Sequence, residues 1–306
     1  MWDNPVVTES PLIFDRMLVR VRRRRAAALG PATFLLDRVA DELAERLGAV
    51  LRRFELALDL GTPGEAVRAA LTRLGSVGAV VAAEATLPHG KARPPLFVAA
   101  DEEALPFRDA AFDLVVSALA LQFVNDLPGT LAQIRRTLKP DGLFLAALVG
   151  GETLSELRQS FAAAESEVDG GVSPRVAPFA DLRDLGALLQ RAGFALPVAD
   201  ADRVTVRYQT AFALLHDLRR MGAANALIDR RRTPLKRATL MRMAEIYAAR
   251  FADGDGRVRA TFEILWLSGW APHPSQQQPL RPGTAKARLA DALGTREIST
   301  GEKAGG

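Results

Sequence analysis

Five short, nearly unbroken apolar runs between residues 54 and 149 restrict the folds open to this chain more than any other feature: FELALDL (54–60), GAVVAAE (78–84), LFVAAD (96–101), FDLVVSALAL (112–121) and LFLAALV (143–149). A strand that is apolar on both faces must be covered on both faces, as in a parallel sheet between two helical layers; a half-solvated strand would alternate. Gly61, Thr62, Pro63 and Gly64 break the first run before Glu65, Ala66 and Val67 begin a helix. Strand, glycine turn and helix open a doubly wound sheet. Asp126 caps a helix running to about Leu138, and KPDG (139–142) is read as the turn into the fifth strand. Alternating strands and helices predict a parallel, three-layer α/β architecture.

The flanking segments extend this pattern. Leu35, Val39, Leu43 and Leu47 recur at helical spacing and predict an amphipathic helix that leads into the core. Beyond Gly150 the pattern predicts helices over 153–167 and 181–192, a strand VTVRY (204–208), two further helices and a long strand TFEILWLSGWA (261–271). Two late strands complete a Rossmann-like seven-stranded sheet with helices on both faces and a helical cap. The expected division is an N-terminal arm (1–30), a main domain (31–271) with a helical insertion at about 210–251, and a tail (272–306). Rich in Pro, Gln, Gly and charge, the tail is expected to be disordered.

Composition narrows the chemistry. With 48% hydrophobic and 25% charged residues, a 306-residue chain can bury a substantial core. The absence of cysteine excludes disulfides, thiolate nucleophiles and Cys-ligated zinc or iron–sulfur clusters. His89, His216 and His273 are scattered without ligand spacing, so no metal site is expected. No apolar run approaches the ~20 residues of a membrane span, and none follows a basic N-terminus as a signal peptide would, so the expected compartment is the cytoplasm. The net charge of +4 is small for this length. Arg20 and the run from Arg22 to Arg25 read as a solvated helix face, and they lack the aromatic interleaving of a nucleic-acid surface.

In a doubly wound sheet, ligands bind beyond the carboxyl ends of the strands, at the switch point. Asp59, Leu60 and Gly61 end the first strand, where a glycine lets a ligand approach the backbone; the plain alternative is a strand-to-helix connection. Glu84 ends the second, where a carboxylate can accept from both ribose hydroxyls of an adenosine-containing ligand or stand as a surface acid. Asp101 ends the third and can accept from an adenine amino group, with Glu102 or Glu103 presenting backbone amides to the ring; alternatively it caps the next turn. Gln122 and Phe123 follow the fourth, near the reactive part of such a ligand, and Phe123 also reads as core.

The block ADEEALPFRDAAFDLVVSALALQFVNDLPGTLAQIRRTLKPDGLFLAALVGGETLSELR (100–158) resembles class I methyltransferases of the type 11 group, and within them is similar to the mitochondrial complex I assembly factor methyltransferase-like family. LIFDRMLVR (12–20), GGVSPRVAPFADLRDLGALLQRAGF (170–194) and the late LSGWA extend the likeness over residues 12–271. The resemblance implies S-adenosylmethionine (S-adenosyl-L-methionine) as cofactor. Asp59, Gly61 and Gly64 would lie at its methionine end, Glu84 at the ribose, Asp101 and Glu102 at the adenine, and Leu119 completes the binding set. The resemblance singles out no catalytic residue, because methyl transfer chiefly requires alignment in a water-poor pocket.

Members of that family are linked to arginine hydroxylation on a complex I subunit, and similar biotin-pathway enzymes methylate a carboxyl group carried on acyl carrier protein. The resemblance therefore implies a methyltransferase acting on a protein or small acceptor, with a complex I subunit as the candidate partner. The alternatives are a non-catalytic complex I assembly factor and a protein-arginine hydroxylase on the same fold. One departure stands out: where the family reads D-L-G-C-G-x-G, this chain has Asp59, Leu60, Gly61, Thr62, Pro63, Gly64 and Glu65. Pro63 has no amide proton, and Glu65 brings an acid toward the methionine carboxylate. Gln122 also stands where relatives often carry histidine.

Overall fold

The computed structural model describes residues 12–86, 94–277 and 294–295. All of its helices and strands belong to the compact unit Met1–Pro272. His89 and most of the tail expected to be disordered lie outside the described residues.

The strands are β1 (Phe54–Leu60), β2 (Val77–Glu84), β3 (Phe97–Ala99), β4 (Phe112–Ala118), β5 (Leu138–Val149), β6 (Ala195–Tyr208) and β7 (Val258–Trp270). They form one seven-stranded sheet in the order β3-β2-β1-β4-β5-β7-β6. β1 to β5 pair in parallel, while β7 runs antiparallel to both β5 and β6. The expected Rossmann-like seven-stranded sheet is present, parallel over β1 to β5 and antiparallel at the far edge where the two late strands complete it.

Continuous apolar runs are explained by two distinct cores. On β5, Leu143, Leu145, Ala147 and Val149 face one layer, made by α2 (Phe34–Gly48), α3 (Ala66–Arg73), α5 (Ser155–Asp169) and α8 (Arg237–Phe251). The intervening Phe144, Ala146 and Leu148 face α4 (Leu127–Thr137) and α6 (Leu182–Arg191) on the other side. Each buried Leu or Phe contributes roughly 1.5–3 kcal/mol of apolar burial, so neither face can be given up. All four residues of the predicted α2 stripe are buried.

Three boundaries differ from expectation for physical reasons. β6 begins at Ala195 rather than Val204, because an edge strand alternates exposed and covered residues and can carry Asp200, Asp202 and a Pro197 at its register irregularity. KPDG lies inside β5 rather than before it: pairing jumps from Phe112↔Leu138 to Leu114↔Leu143, and Asp141 takes a φ of 61° in this bulge. β4 stops at Ala118, and Leu121–Phe123 forms a 3-10 turn.

The segment leading into α1 (Arg16–Ala28) is fastened above the carboxyl end of β4. Asn125 Oδ1 accepts from the amides of Ile13 and Phe14 at 2.8 and 2.7 Å, and Asn125 Nδ2 donates to the Phe14 carbonyl at 3.1 Å. The Phe14 ring meets Phe123 edge-on at 5.6 Å. Asp15 caps α1 by accepting from the Leu18 amide. Between β6 and β7, α7 (Ala211–Arg220) packs against α1 and α8 against α5. No described helix is long and apolar enough to cross a membrane.

Candidate functional site

Strand order reverses between β1 and β4, and a cavity of roughly 330 Å³ opens beyond their carboxyl ends. This is the switch point, and the volume falls at the small end of ligand pockets. Its floor is the turn Pro63, Gly64 and Glu65, one wall carries Glu84, another Leu119, Gln122 and Phe123, and its roof is Arg16, Val19, Arg20 and Arg23 of α1. Of the sequence-derived site residues, Gly64, Glu84, Glu102 and Leu119 line the cavity. Asp59, Gly61 and Asp101 stand behind this lining.

The turn after β1 is held by its own packing. Gly61 has φ 69°, and a Cβ there would come within 2.7 Å of Glu102 Oε1, so both conformation and space require glycine. Gly64, at φ 85°, has open space around it, and only its conformation demands glycine. Thr62 is fully buried and its Oγ1 accepts from the Ala118 amide at 3.0 Å, while Ser117 Oγ donates to the Leu60 carbonyl at 2.7 Å. These two bonds lock the β1 and β4 ends together. Leu119 sits at φ 52° and donates its amide to Ala147.

Two carboxylates share one guanidinium on the β1–β2 side. Arg68 Nη1 lies 2.8 Å from Asp59 Oδ2 and 3.4 Å from Glu84 Oε1, and its Nη2 donates to the Gly64 carbonyl. Burial pushes Asp59 up to about 6 against the pull of Arg68. Burial also pushes Glu84 up to about 7, opposed by Arg68 and reinforced by the neighbouring Asp59 charge. Glu84 Oε2 has no hydrogen-bond partner among the described residues.

The β3 side is the reverse, with cations in excess. Arg16 reaches Asp101 Oδ1 at 2.6 Å, Glu102 Oε2 and the Phe123 carbonyl, and Arg20 pairs with Asp101 Oδ2. Burial alone would raise Asp101, but the Glu103 amide and the Arg16 and Arg20 guanidinium groups hold its carboxyl below the ordinary value. Asp101 thus caps its turn, the plainer of its two readings, and also anchors α1. For Glu102 the sequence suggests a backbone amide as the useful group; its side chain is instead buried, 2% exposed, between Gly61 and α1. Gln122 donates to the Leu119 carbonyl at 2.8 Å.

The arginine run corrects a sequence expectation. Arg24 and Arg25 are exposed as predicted, although Arg24 also touches the cavity, whereas Arg22 is half-buried and Arg20 and Arg23 turn inward over the cavity. The signal was present: Arg16, Arg20 and Arg23 are spaced by four and three, which puts them on one helical face. Arg68 had no such signal, because its partners come from two different strands.

An adenosine-type cofactor fits the nucleoside half of this cavity. Glu84 offers a free carboxylate oxygen suited to ribose hydroxyls, and Leu119 and Phe123 give apolar surface. At the opposite end Pro63 supplies no N–H and Glu65 lines the wall, so an anchor for the rest of the cofactor must come from elsewhere. Among the described residues no group of three or more His, Asp or Glu side chains could hold a metal ion.

Comparison with known proteins agrees with this geometry. Residues 58–146 match the model of the methyltransferase domain family. The chain is 39% identical over 286 residues to arginine-hydroxylase NDUFAF5, mitochondrial, of Danio rerio, covering 91% of this chain and 89% of the relative. It is 35% identical over 287 residues to the malonyl-acyl-carrier-protein O-methyltransferase of Laribacter hongkongensis, covering 88% and 94%. A solved Bacillus halodurans structure whose name proposes a methyltransferase superposes with a TM-score of 0.52 at 19% identity, over 76% of this chain and 99% of that one, which speaks for the fold alone. With its sheet order, switch-point cavity and near-full-length likeness to these relatives, the chain belongs to the class I methyltransferase-domain family that includes NDUFAF5 and the malonyl-acyl-carrier-protein O-methyltransferases.

Proposed function

We propose that this protein binds S-adenosylmethionine in the cavity beyond β1, β2 and β4 and modifies a protein or small acceptor there, with a respiratory complex I subunit as the candidate protein acceptor. The observation that carries the reading is Glu84: a half-neutralised carboxylate on the cavity wall, with one oxygen uncommitted. When bound, the cofactor supplies an electrophilic methyl group. Glu84 accepts from the ribose hydroxyls, while Asp101, behind the lining with both oxygens paired to Arg16 and Arg20, has only its remaining lone pairs to offer an adenine amino group. Gly64, on the lining with open space around it, lets the turn backbone approach the ligand, while Gly61 makes room for Glu102 behind it. The α1 roof and the apolar wall of Leu119 and Phe123 keep water out, so that transfer depends on alignment. Gln122 is an amide and supplies no base at this position, and its Nε2 is tied to the Leu119 carbonyl.

A second reading is a complex I assembly factor that no longer uses the cofactor. It is favoured by Arg68 on Glu84 and by the arginine clamp on Asp101 and Glu102, which together satisfy part of the acceptor set from within the chain. An arginine hydroxylase, as the NDUFAF5 relatives are named, is the third. Aerobic incubation with cofactor, an electron donor and complex I subunits, followed by peptide mass analysis, separates them: a methyl-sized gain supports the first, an oxygen-sized gain on arginine the third, and a stable complex without mass change the second.

A further inference from the structure

The turn after β1 presents an anomaly that the remaining site residues resolve. A cofactor with an amino-acid end brings an ammonium and a carboxylate to the floor of the cavity, where Glu65 suits the ammonium but repels the carboxylate, and Pro63 cannot donate to it. The cations on the walls are mostly spent. Arg16 serves Asp101, Glu102 and the Phe123 carbonyl, Arg20 serves Asp101, and Arg68 serves Asp59, Glu84 and the Gly64 carbonyl. Arg220 is directed to the Gly30 carbonyl and Asp217, and Arg24, which also touches the cavity, is exposed to solvent.

Arg23 differs from all of these. It projects from α1 into the cavity roof directly over the turn, with Nη1 3.2 Å from the Gly61 carbonyl. Its remaining interactions are a 3.5 Å approach to Glu102 Oε1, a carboxylate already engaged by Arg16, and the Phe123 ring 5.8 Å from its Cζ. Of five N–H donors, a single one is committed to a hydrogen bond among the described residues. Burial, and the positive charge of Arg16 beside it, disfavour the charged form of this guanidinium, and Glu102 offsets them only in part. A buried, under-partnered guanidinium facing a cavity is matched by a carboxylate, which it can take in bidentate fashion.

We propose that Arg23 binds the carboxylate of the cofactor's amino-acid end, so that α1 supplies from above the anchor that the altered glycine turn lacks below. The proposal rests on the cofactor reading and adds to it the group that holds the carboxylate of the zwitterionic amino-acid tail. It also gives α1 a task in binding beyond its clasp on Asp101 and Glu102.

The test compares S-adenosylhomocysteine with 5′-methylthioadenosine, which shares the nucleoside and sulfur but lacks the amino-acid end, by calorimetric titration of the full chain. The wild-type protein should bind S-adenosylhomocysteine at least about tenfold more tightly, as expected for a charge-assisted pair. Arg23→Gln should lose about tenfold or more for S-adenosylhomocysteine while leaving 5′-methylthioadenosine within about twofold, and Arg23→Lys should fall between. Equal weakening of both ligands by Arg23→Gln would mean that Arg23 merely holds α1 in place, and unchanged S-adenosylhomocysteine affinity would remove it from the site; either result overturns the proposal. The wild-type comparison needs no variant: equal affinity for the two ligands sinks the Arg23 anchor and spares the cofactor reading, whereas no binding of either sinks both.

Discussion

The two acidic clusters at the switch point are built from the same residue types and are compensated in opposite ways. Asp101 and Glu102 face three guanidinium groups, those of Arg16, Arg20 and Arg23. Asp59 and Glu84 share the single guanidinium of Arg68. The Glu103 amide and the excess of cations hold Asp101 below its ordinary value, and the cations fasten α1 to the sheet; on the other side burial, only partly offset by Arg68, leaves Asp59 and Glu84 raised to about 6 and about 7. The first cluster is therefore mainly a structural clasp that also aims an acceptor. The second keeps acceptor capacity in reserve for a ligand.

The sharpest way to break this contrast is to unbalance the clasp. Arg16→Ala leaves the almost fully buried Glu102 without its main partner, and loss of one member of such a pair costs about 3 kcal/mol or more, read as a lower urea midpoint and faster amide exchange along α1. An unchanged midpoint would mean that Phe14, Asn125 and the remaining arginine contacts suffice to hold α1.

Next in size is Glu84→Ala, which should weaken S-adenosylhomocysteine binding by about tenfold or more through loss of the ribose acceptor, with little loss of fold stability. The pH dependences sharpen the comparison further. Glu84 rises from 4.5 to about 7 on folding, so the folded state holds the proton more tightly, and Glu84 makes the protein less stable as pH climbs through that window. Asp101 is lowered, so its contribution has the opposite sign: present above its unfolded value and lost on acidification. Thermal unfolding of Glu84→Gln should show a flatter decline between about pH 5 and pH 7 than wild type. Because ribose hydroxyls donate to the ionised carboxylate, cofactor affinity should increase through about pH 7 in wild type and become nearly pH-independent in Glu84→Gln.

The smallest expected effect is that of Arg20→Ala. Arg20 and Asp101 are partly exposed, and Asp101 keeps Arg16, so the loss should stay within about 1 kcal/mol by chemical denaturation. A cost as large as that of Arg16→Ala would show that the clasp works as one indivisible network.

The same division between local and assembled features governs how much the sequence discloses. β1 lies where the apolar run FELALDL places it, and Asp126 caps α4, because in both cases neighbours in the chain decide the outcome. The alternation of β5 between two cores explains why its run is unbroken. The first half of β6 was hidden because an edge strand tolerates Pro197, Asp200 and Asp202, residues that score against a buried strand. In the candidate site, the strand-end acids were legible from position alone. Their counter-ions were not: Arg68 meets Glu84 only because β1 and β2 pair as Leu60↔Ala83, and Arg23 reaches Gly61 only because Asn125 fastens the arm.

The most direct test of the central claim is calorimetric titration of S-adenosylhomocysteine into wild type and Glu84→Ala near pH 8, where the Glu84 carboxyl is ionised. The predicted result is saturable one-site binding by wild type that is strongly weakened in the variant. Equal binding by both proteins, or none by wild type, would contradict the assignment of Glu84 as the ribose acceptor, and absence of wild-type binding would favour an assembly factor that has given up its cofactor.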